Sequence, residues 1–300
     1  MNRYIILLLS LIVFACKDKS SDRNHIKGIK GKYFQLYKTK DEDGVLILFP
    51  GFGGGGAENT KNEFKILDKA YKRNISVLLM DFDSHVYLKK AEKERLKNEL
   101  ESIFKKYKIR EKNIYIGGFS SGGNVSLLLS NYLLQTNSKI IPKGVFIVDS
   151  PIDLLNIYRV SEKNIIKNVN SESVEESKWI INNFDTEFGT PKKGIKNYEI
   201  NSPFIFETTC INNLIYLKNI KIRLYTEPDL QWWNKHNGND YEDLNAFSIE
   251  KMAEIMKRKN FSNVEVIKTK NKGYRANGDR HPHSWSIVNE DDLLHWMTVE

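Results

Sequence analysis

Ser120 sits in Gly118-Phe119-Ser120-Ser121-Gly122, a Gly-x-Ser-x-Gly pattern in which a serine hydroxyl can serve as a nucleophile. The apolar run that ends at Gly117 reads as a strand, and Gly122 opens a helical pattern, so the serine falls on a strand-turn-helix junction. Side chains at Gly118 and Gly122 would collide with the neighbouring strand and helix. A tight turn of this kind pushes Oγ outward, and the helix N-terminus beneath it offers free N–H groups to a developing oxyanion.

A serine hydroxyl needs a base, and the base needs a carboxylate to orient it. The chain supplies both downstream. The apolar run Lys221–Tyr225 leads into Thr226-Glu227-Pro228-Asp229, which delivers a carboxylate to a strand C-terminus. Asp229 is the expected acid; Glu227 is an alternative, as are Asp149 and Asp153, which follow the preceding apolar run. A polar loop, Asn271–Arg280, then leads to His281-Pro282-His283-Ser284-Trp285. His283 is the expected base, because Pro282 biases His281 toward an extended conformation. Trp232-Trp233, three residues past Asp229, can form an aromatic wall beside the pocket or pack as loop residues.

These residues must be positioned by a scaffold, and the scaffold is legible. Short apolar runs at Val45–Phe49, Ile75–Met80, Asn113–Gly117, Gly144–Val148, Lys221–Tyr225 and Asn263–Ile267 alternate with helical patterns. That rhythm predicts an α/β fold: a mostly parallel sheet with helices on both faces. Tyr33 to Tyr37 reads as a leading antiparallel strand. Residues 88–108 read as an amphipathic surface helix, and Gly122 to Gln135, apolar nearly all round, as a buried one. Residues 153–216 break the rhythm between two strands, as a lid or cap insertion would.

From about Val45 onward the chain resembles the α/β-hydrolase superfamily in its esterase and lipase branch. The resemblance rests on Gly118–Gly122, Asp229 and His283, and on the glycine-rich run Pro50 to Gly56 after the first parallel strand. It implies an oxyanion hole made by the backbone N–H of Ser121 and one from Phe52 or Gly53. Pro50 stands where that loop commonly carries His. It further implies hydrolysis of a small-molecule, glycan or lipid ester through an acyl-enzyme, with no cofactor.

The N-terminus points to export. Arg3 precedes an apolar run from Tyr4 to Phe14, too short to span a bilayer, which takes about 20 apolar residues. The run ends in Val13-Phe14-Ala15-Cys16, which resembles a bacterial lipobox, with Cys16 as the lipidated residue; plain secretory cleavage is the alternative. Residues 1–16 are then a signal peptide, 17–30 a flexible tether and 31–300 the hydrolase domain. This places the protein on a bacterial cell envelope, held to the membrane by its lipid. The 300 residues contain two cysteines, so lipidation of Cys16 leaves Cys210 unpaired, as a small buried hydrophobe.

A net charge of +8 is spread along the chain rather than clustered, which argues against a nucleic-acid partner. Asp81, Asp83 and His85 lack the further ligands a metal site needs. Gly51, Gly53 and Gly56 also match a dinucleotide-binding Gly-x-Gly-x-x-Gly, with Asp81 ending the next strand. That reading leaves Ser120, Asp229 and His283 unexplained. A peptidase on the same fold and a non-catalytic surface binding module are the remaining alternatives.

Overall fold

The computed structural model describes residues 27–53, 55–82 and 86–299. The signal peptide, Cys16, most of the tether, Asp83 and His85 lie outside the described residues. In chain order the strands are β1 (Ile29–Lys30), β2 (Phe34–Tyr37), β3 (Gly44–Phe49), β4 (Ile75–Met80), β5 (Ile114–Phe119), β6 (Pro142–Val148), β7 (Lys221–Thr226) and β8 (Asn263–Lys268). They form one sheet in the order β1-β2-β4-β3-β5-β6-β7-β8. β1 and β2 are antiparallel to their neighbours and the other strands run parallel.

The helices are α1 (Gly56–Glu63), α2 (Leu67–Tyr71), α3 (Lys90–Tyr107), α4 (Ser121–Gln135), α5 (Leu154–Lys167), α6 (Ser171–Glu187), α7 (Lys196–Asn201), α8 (Leu230–Asn237), α9 (Asn245–Arg258) and α10 (Glu290–Thr298). Alternate residues of β3 show how they cover both faces. Leu46 and Leu48 pack with α1, α2 and α10, while Val45, Ile47 and Phe49 pack with α3 and α4. A strand buried on both faces must be apolar throughout, which is why the parallel strands read as continuous runs.

The six expected parallel strands, the leading antiparallel strand and the two helices all form. One boundary differs: Ile29–Lys30 pairs with Leu36 and Gln35, so the sheet starts inside the segment read as tether. Two strand residues with no apolar pattern carry no signal of their own; β2 recruits them by offering an open edge.

Residues 153–216 form α5, α6, α7 and short 3₁₀ turns between β6 and β7. They have a small core of their own, in which Tyr87 joins Leu154, Tyr158, Phe184, Phe188 and Tyr198. Asp153 caps α5 by accepting a hydrogen bond from the Asn156 N–H at 2.9 Å, and Asn170 caps α6 through the Glu172 N–H at 2.9 Å. Cys210 is a free, half-buried thiol packed against this core.

Candidate active site

The carboxyl ends of β5, β6 and β7 bring the chemistry to one sheet edge. Phe119 pairs with Val148 and Val148 with Tyr225, so Ser120, Asp149 and Thr226 follow abreast. Ser120 has φ 53° and ψ −128°, a conformation costing about 1–3 kcal/mol, and its N–H donates to the Val148 carbonyl at 2.9 Å. The turn survives because nothing fills its inside. A Cβ on Gly118 would lie 2.2 Å from the Gly122 backbone, and one on Gly122 would lie 2.4 Å from the Phe49 and Pro50 carbonyl oxygens.

His283 donates through Nδ1 to Asp149 Oδ2 at 2.7 Å. A carboxylate on Nδ1 fixes that nitrogen as the protonated one and leaves Nε2 as the acceptor. The His283 ring lies 4.5 Å from Phe119, the residue before the serine, and Ser120, Asp149 and His283 line one cavity of about 700 Å³. Asp149 is itself held. Thr226 Oγ1 donates to Oδ1 at 2.8 Å, its own N–H donates to the Tyr225 carbonyl at 2.8 Å, and Asn245 Nδ2 donates to its carbonyl at 2.9 Å. The buried Trp285 anchors the histidine loop by stacking on Phe64, ring centres 4.5 Å apart.

Asp229, the expected acid, is therefore elsewhere. It caps α8 through the Trp232 N–H at 3.1 Å and accepts from Arg280 at 2.6 Å. Glu227 is likewise engaged, by Arg280 at 2.6 Å, Thr269 Oγ1 at 2.8 Å and the N–H groups of Lys272 and Gly273 at 2.8 and 3.1 Å. Adjacent parallel strands are about 4.8 Å apart. A carboxylate on β6 is one strand from the serine and one after β7 is two, so the nearer one meets the imidazole. Glu227, Asp229 and Arg280 instead clamp the loop that carries the histidines. Asp153 caps α5 and accepts the Phe206 N–H at 2.8 Å; burial pushes its carboxyl up to about 6.

The proposed oxyanion donors lie around the turn. Ser121 begins α4 directly behind the serine, and Phe52 lines the cavity. Gly51 backs onto the turn: a Cβ there would stand 3.3 Å from Ser120 Cβ. Gly53 has φ 63°, open to glycine. The Phe52 ring stacks on Trp179 of α6, centres 4.6 Å apart, joining this loop to the insertion. Trp232 and Trp233 both line the cavity, with ring centres 4.7 and 5.9 Å from that of His281. The dinucleotide reading fails on geometry. Asp81 Oδ1 accepts the Ala57 N–H at 2.6 Å, so the helix end a pyrophosphate would use is filled by a carboxylate of the chain itself.

The family model for steryl acetyl hydrolase matches residues 18–205, a span that includes the glycine-rich loop, Ser120 and Asp149. The chain belongs to the steryl acetyl hydrolase family. As a member of that family it is a hydrolase. A comparison with curated proteins found no match. Solved structures share the fold. A fungal esterase from Rhizomucor miehei aligns with TM-score 0.56 at 14% identity, covering 90% of this chain and 81% of its own. Carboxyl esterase 2 from Tuber melanosporum aligns with TM-score 0.53 at 15% identity, over 85% and 79%. EstE1, a thermostable carboxylesterase from a metagenomic library, aligns with TM-score 0.54 at 14% identity, over 90% and 85%. This steryl acetyl hydrolase family member thus has the α/β-hydrolase fold.

His281 gives the site a pH dependence of stability. Burial, and then the Arg275 charge, push its imidazole down from 6.5 to about 4. An unfolded chain takes up that proton first, so the contribution of His281 is complete above about pH 6.5 and is lost as pH falls toward 4. Asp153, raised from 3.8 to about 6, opposes it by favouring the fold as pH falls through the same range. Thermal unfolding of His281→Gln should therefore show a shallower decline between pH 7 and 4.5 than the parent; parallel declines would refute the assignment.

Proposed function

We propose that this hydrolase cleaves carboxylic esters through an acyl-enzyme on Ser120, with His283 as base and Asp149 as the orienting acid. The observation that carries this reading is the 2.7 Å hydrogen bond from His283 Nδ1 to Asp149, formed at the sheet edge where Ser120 emerges. His283 Nε2 takes the Ser120 proton as Oγ attacks the ester carbonyl. The negative charge moves to the carbonyl oxygen, which the N–H groups of Ser121 and of Phe52 or Gly53 receive. Collapse breaks the bond to the alcohol, and His283 returns the proton to that leaving oxygen. Water, deprotonated by His283, then attacks the acyl carbonyl; the bond to Ser120 Oγ breaks, the acid leaves, and His283 returns the proton to Oγ. The Asp149 carboxylate stabilises the imidazolium that forms on His283 in each step.

The α5–α6 pair acts as the cap, and Trp232 and Trp233 form an aromatic wall against the substrate. The family name makes an acetyl ester the first substrate to try. Incubation with a fluorophosphonate should add one phosphonyl group to the intact protein, mapped by peptide mass to Ser120. Full hydrolysis of p-nitrophenyl acetate by protein with no adduct on Ser120 would sink the assignment.

A further inference from the structure

The loop that carries His283 brings a second pair of side chains into the cavity, and ester cleavage leaves them without a task. Arg275 lines the cavity with its guanidinium carbon 5.6 Å from the centre of the Phe119 ring, beside the nucleophile. It is half-buried, and burial holds its guanidinium below the usual arginine range. Among the described residues its side chain makes no hydrogen bond and no ion pair. Glu63, the carboxylate that acts on it, is bound at 3.0 Å by the Ala276 N–H.

The carboxylates around it are committed or distant. Asp149 accepts from His283, Glu227 pairs with Arg280 at 2.6 Å and Asp243 with Lys163 at 2.6 Å. Glu172 and Glu176 line the cavity from α6 without reaching ion-pair distance of Arg275. A partly desolvated guanidinium with no carboxylate at ion-pair distance is costly. Such a group is stabilised when a ligand supplies the anion, and guanidinium matches a carboxylate with two parallel hydrogen bonds.

His281 adds to the same corner. Its Nδ1 is buried with no partner of good hydrogen-bond geometry among the described residues, and the Arg275 charge and the His283 backbone both act on the ring. The ring is neutral at pH 7, so one nitrogen can donate to an anion. Trp232 bounds this corner, its ring 4.7 Å from that of His281.

We propose that Arg275, assisted by His281, is a specificity subsite for a carboxylate carried by the ester substrate. The substrate class is then an acidic ester, with the anion on the acyl chain or on the alcohol. The proposal rests on the Ser120–His283–Asp149 reading only for where the reacting bond lies.

Two matched pairs test it: p-nitrophenyl hemisuccinate against p-nitrophenyl butyrate places the charge on the acyl side, and 4-acetoxybenzoate against phenyl acetate places it on the leaving group. In one pair, the ratio of kcat/KM for the charged over the neutral ester should fall roughly 10- to 100-fold in Arg275→Gln, the worth of a hydrogen bond to a charged group. Arg275→Lys should restore part of that ratio, which a merely structural role would not do. A ratio unchanged in both pairs overturns the proposal. An activity-independent arm uses Ser120→Ala: calorimetric titration with succinate or benzoate should show binding that Arg275→Gln removes. If neither anion binds in an Arg275-dependent way, the subsite is refuted whatever the state of catalysis. If Ser120→Ala still hydrolyses ester, the nucleophile reading fails instead.

Discussion

Replacing Ser120 with alanine is expected to lower kcat/KM for p-nitrophenyl acetate by roughly 10⁴- to 10⁶-fold, the scale on which serine-hydrolase nucleophiles act. The loss is that large because the remaining groups have nothing to activate. His283 can accept a proton only from a hydroxyl placed against it, and the oxyanion donors stabilise an intermediate that no longer forms. A residual rate above that in water should remain, since the cavity still binds and polarises the ester. The fold should be indifferent to the change. Ser120 makes no side-chain capping bond to α4, and alanine keeps the Cβ that its φ of 53° already tolerates. Rates and circular dichroism measured on the same preparation check both halves. A loss below about tenfold in well-folded protein would mean that another group attacks the carbonyl.

How much of this was open to sequence reading depends on the range of the interactions involved. The parallel strands were legible because burial on both faces demands apolar residues, which β3 supplies throughout, β4 apart from Ser76 and β6 from Gly144 onward. The serine turn was legible because Gly118 and Gly122 are demanded by contacts a few residues apart: each would drive a Cβ into backbone. His283 was singled out ahead of His281 by its place after Pro282 and before Ser284-Trp285, and the structure adds that Trp285 is buried and anchors that loop.

The carboxylate that meets His283 was not legible, and the reason is geometric. β6 and β7 both end in carboxylates at one edge, and the order serine, acid, histidine holds for either. What separates them is strand order and the path of residues 269–284, both long-range properties. Arg280 was the available signal, because a cation at the tip of that loop needs its own carboxylates, and Glu227 and Asp229 supply them. Thr226 and Asn245, which orient Asp149, were out of reach for the same reason: neither lies near it in sequence. Trp179 became part of the cavity rim only once α6 was placed over the glycine-rich loop, and its stacking on Phe52 has no local signature.

The choice of acid can be decided by one pair of variants. Asp149→Asn should lower kcat/KM by about 10⁴-fold, as the same change does in serine-hydrolase triads. An amide at that position can turn its NH₂ toward His283, which shifts the proton to Nε2 and removes the acceptor that Ser120 needs. Nothing then balances the imidazolium in the transition state. Asp229→Asn should cost less than about tenfold. It weakens a cap and one of the two carboxylates on Arg280, while Glu227 keeps its bonds to Arg280, Lys272 and Gly273 and so retains the loop. The two variants also differ in kind. Asp149→Asn should lower kcat and leave KM nearly unchanged, since Asp149 acts on the reacting groups through His283. Asp229→Asn should act through loop position, with kcat and KM moving together by small amounts. The reverse ranking, with Asp229→Asn the more damaging, would require the base loop to swing across one strand during catalysis. The Glu227–Arg280 ion pair, the Trp285 anchor and the Thr226–Asp149 hydrogen bond all oppose that motion.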